Sequence, residues 1–169
     1  TPGDIYGPGG DDEGAHGHSF NLQQLLAANI EVTTTGGTEH VRANCDTDGD
    51  GQYEDSERPC TSLQDLPTEA LFGLIQLKQA CEDYSADTCQ VIVTAGTEPG
   101  HQTHGPGRAI VDIENLPVID EFIISQMLGI QSSVSFEYDR FYPGQDGGYY
   151  MYETNPSHWH ICFKGPCGN

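Results

Sequence analysis

Residues 157–164 read SHWHICFK and alternate polar and apolar side chains, as a half-buried β-strand does. Because successive side chains of a strand point to opposite faces, we expect His158 and His160 to project from the same face. Two imidazoles on one face suit a metal ion, and catalytic zinc typically takes three protein ligands and leaves one position open for water. The segment therefore predicts a sheet with a metal site on one face.

Further candidate ligands surround this strand in the sequence. Residues 100–114, GHQTHGPGRAIVDIE, contain His101, His104 and Asp112, and Glu153 precedes the His-x-His pair. A single histidine is more often a surface or hydrogen-bonded core residue than a metal ligand. The combination of a His…Asp pair on one segment with Glu and His-x-His on another favours a zinc site.

These two segments resemble the zinc peptidases of the D-Ala-D-Ala carboxypeptidase type and the related N-terminal signalling domain of hedgehog proteins. Over about residues 64–164, the matching positions of the two motifs, His-x-x-Gly-x-Ala-x-Asp and Tyr-Glu…His-x-His, are His104, Gly107, Ala109, Asp112, Tyr152, Glu153, His158, Trp159 and His160. The resemblance implies an α+β fold in which helices flank a central antiparallel sheet. It also implies a peptide substrate, with cell-wall peptide the usual target, or partner binding without catalysis as in hedgehog.

The resemblance also implies roles for individual residues. His104, Asp112 and His160 would bind zinc. Glu153 would be the general base, and His158 would stabilise the oxyanion or share the proton transfer. Seven residues separate His104 from Asp112, one more than in the family motif. An extra residue within a strand moves every side chain after it to the opposite face, unless a bulge absorbs it. If the register shifts in this way, His101 is the alternative ligand.

Residues 46–57, DTDGDGQYEDSE, match the twelve-residue EF-hand calcium loop position by position. Calcium requires 6–8 oxygen ligands, which explains the alternation of acidic residues. Glu54 is a further candidate at position 9, and Arg58-Pro59 stops any exiting helix, so a structural site is favoured over a sensor. The predicted calcium ligands are Asp46, Asp48, Asp50, the backbone carbonyl of Gln52, and Glu57.

The composition restricts the partners and the compartment. Six Lys+Arg against 26 Asp+Glu give a net charge of −20, which excludes nucleic acid and anionic membranes as natural partners. No apolar run approaches the ~20 residues of a membrane span. Six cysteines without a Cys-x-x-Cys motif favour disulfides and a secreted, extracellular, periplasmic or cell-surface location, as does the absence of an initial Met. Pairing in sequence order predicts Cys45–Cys60, Cys81–Cys89 and Cys162–Cys167.

The remaining sequence predicts three regions. Residues 1–19 form a Gly/Pro/Asp-rich arm, which is a candidate contact with neighbouring copies in an extracellular assembly. Residues 20–63 contain a helix, a hairpin around Gly36-Gly37 and the calcium loop. Residues 64–169 form the zinc-peptidase-like core, with helices expected near 62–84 and 116–128 and strands near 89–96, 108–114, 132–141 and 149–153. We expect 20–63 and 64–169 to share one compact domain.

Overall fold

A computed structural model of the protein describes residues 15–34, 37–100, 103–127 and 136–163. These residues form an α+β structure with three α-helices and eight strands. In chain order the elements are β1 (Ala15–His16), α1 (His18–Ala27), β2 (Glu31–Val32), β3 (Leu66–Pro67), α2 (Thr68–Ser85), β4 (Ile92–Ala95), β5 (Ile110–Glu114), α3 (Pro117–Gln126), β6 (Phe141–Pro143), β7 (Tyr149–Glu153) and β8 (His158–Cys162). Short 3₁₀ turns occupy Thr38–His40 and Asp55–Glu57.

The six-stranded sheet has the order β2-β4-β5-β8-β7-β6. Four of its strand pairs are antiparallel, as predicted, but β2 pairs with β4 in parallel, so the sheet is mixed rather than purely antiparallel. Strands β1 and β3 form a separate two-stranded pair. The prediction of a hairpin within residues 20–63 is wrong for the described residues, because Glu31–Val32 joins β4 and Thr38–His40 forms a 3₁₀ turn.

The two faces of the sheet have different environments. On one face, apolar side chains of the strands merge with those of all three helices into a single core cluster. Trp159 lies in this core, is fully buried, and donates a hydrogen bond from Nε1 to Asp120 Oδ1 at 2.7 Å on α3. The alternate residues of β5 and β8 point to the other face, which is therefore the face available for a metal site.

Helix α2 contributes the largest helical share of this core. Its buried apolar residues recur at helical spacing, at Ala70, Leu71, Leu74, Leu77 and Cys81. Pro67 holds the N-cap position of this helix, and Asp65, two residues earlier, has a positive φ of 58°. The helix ends at Ala86, which adopts the left-handed conformation that often terminates helices.

Residues 15–19, the described part of the predicted arm, belong to the fold and not to an arm. Residues 1–14 of the predicted arm lie outside the described residues. Ala15–His16 pair with Leu66–Pro67, and α1 already begins at His18. The buried Asn21 side chain donates hydrogen bonds to the carbonyl oxygens of His16 and Leu63, at 3.0 and 2.8 Å.

Two of the predicted disulfides are present. Cys45 pairs with Cys60 and Cys81 pairs with Cys89. The predicted pair Cys162–Cys167 includes Cys167, which lies outside the described part of the chain. Residues 132–135 of the strand predicted over 132–141 also lie outside it. Residues 136–140 are not in a strand, and β6 begins only at Phe141. Among the described helices, none combines the length and the apolar character needed to cross a membrane.

Candidate metal centre

Strand register places the candidate ligands side by side on the face opposite the core. Asp112 on β5 lies directly across from His160 on β8, and Glu153 on β7 lies across from His158. His158 and His160 therefore share one face, as the alternation predicts. The register between β5 and β8 runs unbroken from Ile110 to Glu114, and the register shift of the β4–β5 pair lies on β4, between Val93 and Ala95, so Asp112 keeps its face.

His104 reaches the same face from the loop before β5. A turn closes with a hydrogen bond from the Arg108 N–H to the Gly105 carbonyl at 3.1 Å. Gly105 and Gly107 have φ values of 154° and 78°, a region that favours glycine. The extra residue between His104 and Asp112 is thus accommodated in a loop and not in a strand, so no bulge in β5 is needed. His101, the alternative ligand, lies outside the described residues.

His104, Asp112 and His160 converge on one point. Asp112 Oδ1 is 3.2 Å from His104 Nε2 and 2.9 Å from His160 Nδ1, and these two nitrogens are 3.2 Å apart. The three side chains are only 1, 9 and 6 % exposed, respectively. Three ligand atoms thus form a nearly equilateral triangle in a buried place.

A backbone carbonyl orients His104. Its Nδ1 lies 2.9 Å from the carbonyl oxygen of Gly96, so Nδ1 carries a proton and Nε2 is directed toward Asp112 and His160. The Gly96 N–H in turn donates to Glu98 Oε1 at 2.8 Å, and the Ser62 N–H donates to the same oxygen at 2.9 Å. Sequence reasoning missed Gly96 and Glu98, since only the tertiary fold brings them beside His104.

His104 and Asp112 each shift the pKa of the other. Burial alone would lower the pKa of His104, but the hydrogen bond and the charge of Asp112 outweigh it and raise that pKa above its ordinary value. For Asp112, burial opposes ionisation, yet hydrogen bonds with His104 and His160 hold its pKa well below the ordinary range. The metal-free centre therefore carries an ionised carboxylate that attracts cations.

Glu153 and His158 lie beside the triad and nearer to solvent. Glu153 Oε1 is 3.1 Å from His158 Nε2 and 3.3 Å from His160 Nδ1. His158 Nε2 is also 3.4 Å from Asp112 Oδ2. The structure thus brings together all five residues that were expected at the zinc site.

A cleft of about 560 Å³ opens next to this centre. Asp112 and His158 line it, together with Tyr53 of the predicted calcium loop and Arg58, which follows that loop. The Arg58 guanidinium lies over the Tyr53 ring, 4.4 Å from its centroid. Nothing in the local sequence around Arg58 indicates this position, because it depends on contacts between distant segments.

The predicted calcium loop forms a compact turn in which the carboxylates gather. Asp46, Asp48 and Glu57 offer oxygens that lie within 4.8 Å of one another, and so do Asp48, Asp50 and Glu54. The Asp46 carboxylate accepts hydrogen bonds from the N–H groups of Gly49 and Gly51, at 2.8 and 2.7 Å.

The end of the loop is anchored in the protein. Glu57 is buried and accepts hydrogen bonds from the backbone N–H groups of Glu54 and Thr47. The hydrogen bond with Glu57 and the neighbouring Asp50 raise the pKa of Glu54 to about 7. Gln52 donates its N–H to Asp50 Oδ1 at 2.8 Å. Crowded carboxylates of this kind, with three side chains at alternate positions, fit a hard cation such as calcium.

Comparison of the chain with protein-family models, with curated proteins and with solved structures found no match. The function must therefore be argued from the geometry of the centre.

Proposed function

We propose that this protein is a secreted, calcium-stabilised zinc hydrolase that cleaves peptide bonds. The observation that carries the proposal is the buried triad of His104, Asp112 and His160. Its two imidazoles and one carboxylate are the donor set of catalytic zinc sites with three protein ligands. The two disulfides support a secreted protein, because such bonds persist in oxidising compartments.

The dimensions of the triad support zinc. Ligands about 2.0–2.1 Å from a tetrahedral zinc ion are separated by about 3.3–3.4 Å. The ligand atoms of the triad are 2.9–3.2 Å apart, so small side-chain movements accommodate the ion. The hydrogen bond from His104 Nδ1 to the Gly96 carbonyl is the second-shell contact that zinc-binding histidines usually make.

Glu153 is the proposed general base. Zinc at the triad would lower the pKa of a bound water toward about 7 and polarise the scissile carbonyl. Glu153 Oε1, 3.3 Å from His160 Nδ1, is placed to accept the proton of that water and return it to the leaving amine. His158 contacts Glu153 at 3.1 Å, which orients the carboxylate, and it is suited to stabilise the developing oxyanion.

Calcium at residues 46–57 would act on structure and not on the reaction. The proposed ligands are Asp46, Asp48, Asp50, the Gln52 carbonyl and Glu57. The disulfide Cys45–Cys60 closes the loop at its base, which limits the motion of the binding loop. An ion there would hold the wall of the cleft that carries Tyr53 and Arg58.

The first test is metal content, measured by mass spectrometry on protein purified without added metal. We expect zinc in the wild type and in His40→Ala, which changes a histidine outside the site, and loss of zinc in a folded His160→Ala variant. Unchanged zinc content in His160→Ala would remove the proposal.

The second test is hydrolysis of a panel of cell-wall peptides. Glu153→Gln should retain zinc and lose roughly 10²–10⁴-fold in rate. Zinc binding by a wild type that cleaves none of the peptides would favour the alternative of a partner-binding or assembly domain that keeps the metal for stability.

A further inference from the structure

The two carboxylate oxygens of Asp112 face different groups. Oδ1 contacts His104 Nε2 and His160 Nδ1, at 3.2 and 2.9 Å. Oδ2 instead faces His158 Nε2 at 3.4 Å. A carboxylate placed between two sets of nitrogen ligands in this way has the geometry of a bridge between two cations.

A hydrogen bond from one ring nitrogen fixes the orientation of His158. Its Nδ1 lies 2.7 Å from the carbonyl oxygen of Pro156, and since a carbonyl only accepts, Nδ1 carries the proton. The remaining ring nitrogen, Nε2, then faces Glu153 Oε1 at 3.1 Å and Asp112 Oδ2 at 3.4 Å. One imidazole nitrogen and two carboxylate oxygens from three neighbouring strands thus converge, as the ligands of a divalent cation do.

We propose that Asp112, Glu153 and His158 bind a second divalent metal ion, with Asp112 bridging it to the ion of the triad. Their ligand atoms lie within 4.8 Å of one another. One imidazole and two carboxylates suit zinc, cobalt or manganese. The contact of His158 Nδ1 with a backbone carbonyl is the same second-shell arrangement that orients His104. The inference rests on the proposed zinc triad, because the two sites share Asp112.

The second site should fill after the first. The side chains of Glu153 and His158 are 33 and 18 % exposed, whereas those of His104 and His160 are 1 and 6 % exposed. Water competes more strongly for an ion at the exposed site, so its affinity is lower. Once Glu153 binds an ion it no longer accepts a proton, and excess metal therefore inhibits hydrolysis.

Cobalt(II) titration of the metal-free protein tests the proposal, with calcium present in excess to saturate residues 46–57. Visible absorption reports cobalt bound to nitrogen and oxygen ligands. We expect two equivalents to bind to the wild type and to the control His40→Ala, and one equivalent to His158→Ala. A wild type that binds a single equivalent, or a His158→Ala variant that still binds two, would overturn the second site.

Electron paramagnetic resonance distinguishes a bridged pair from two separate sites. Two cobalt ions joined by the Asp112 carboxylate couple magnetically, so the signal per cobalt weakens as the second equivalent binds. An uncoupled signal that grows in proportion to both equivalents would place the second ion elsewhere and overturn the proposal.

The failure of this inference is distinguishable from failure of the zinc triad. If the wild type binds one tight equivalent of cobalt and His104→Ala abolishes that binding, the zinc triad is supported and only the second site is refuted. A wild type that binds no cobalt refutes both. If His158→Ala does not fold, Glu153→Gln replaces it. The isosteric amide should weaken binding of the second equivalent of cobalt and leave binding of the first unchanged. Unchanged binding of both equivalents to Glu153→Gln would count against the proposal.

Discussion

Gly96→Ala is expected to reduce stability and metal affinity together. Gly96 follows β4, and a Cβ atom at this position would lie 2.2 Å from the backbone oxygen of Ser62 and 3.2 Å from Leu63 Cδ2. The same glycine accepts the hydrogen bond that orients His104 and donates to Glu98. A methyl group here therefore disturbs the hydrogen bond that orients His104, without changing any proposed ligand.

The size of the effect follows from the overlap. Real Cβ atoms essentially never approach another heavy atom within 3.0 Å, so the 2.2 Å contact requires the backbones to separate by at least about 0.8 Å. Overpacking of this kind typically costs about 1–3 kcal/mol in the free energy of unfolding. Displacing the Gly96 carbonyl also disturbs its hydrogen bond with His104, and loss of such a contact to a metal-binding histidine usually lowers metal affinity about 10–100-fold.

The free energy of unfolding and the zinc affinity are both measured on one pair of variants. Urea unfolding of the metal-free proteins gives the stability change, and zinc competition against a chromophoric chelator gives the affinity change. Gly17→Ala is the matched control, because a Cβ atom there meets nothing within 4 Å. Wild-type affinity for zinc in a destabilised Gly96→Ala protein would refute the link between the Gly96 carbonyl and His104.

Three further predictions concern other parts of the molecule. The double variant Cys45→Ser/Cys60→Ser should lose about 3 kcal/mol in urea unfolding, because the disulfide closes a loop with a sequence separation of 15; an unchanged midpoint would contradict this. Glu57→Gln should weaken calcium binding roughly tenfold or more in calorimetry, since it removes the charge of the proposed bidentate ligand. Burial lowers the pKa of His18, so the unfolded chain binds this proton more readily and the unfolding free energy should fall as the pH drops below about 6.5. His18→Asn should flatten that pH dependence, and an identical slope in both proteins would refute the assignment.

Local patterns in the sequence predicted the strands and the disulfide that depend only on residues close together in the chain. The alternation around His158 and His160 predicted one strand, and β7 spans Tyr149–Glu153 as expected. The pairing of Cys45 with Cys60 was also predictable, because neighbouring cysteines close the shortest loops.

Contacts between distant segments were not predictable in the same way. Glu31–Val32 lies in a stretch rich in β-branched residues, which is typical of a hairpin strand, but its partner is β4, about sixty residues later in the chain. Asp65 has the chemistry of a helix cap, yet its backbone adopts a positive φ and the helix starts after it. Arg58 and Glu98 approach the centre only through the tertiary fold. The grouping of the proposed ligands was therefore predictable, and the residues that surround them were not.

The placement of Trp159 gives the protein an internal optical probe. It is the only tryptophan in the chain, it is fully buried, and it lies between His158 and His160 on the opposite side of the same strand. Its emission comes from a single environment, so loss of the core registers as one red shift. A bound cobalt ion, which absorbs light, would quench this emission, whereas zinc would not, so metal exchange at the centre is observable by fluorescence in unlabelled protein.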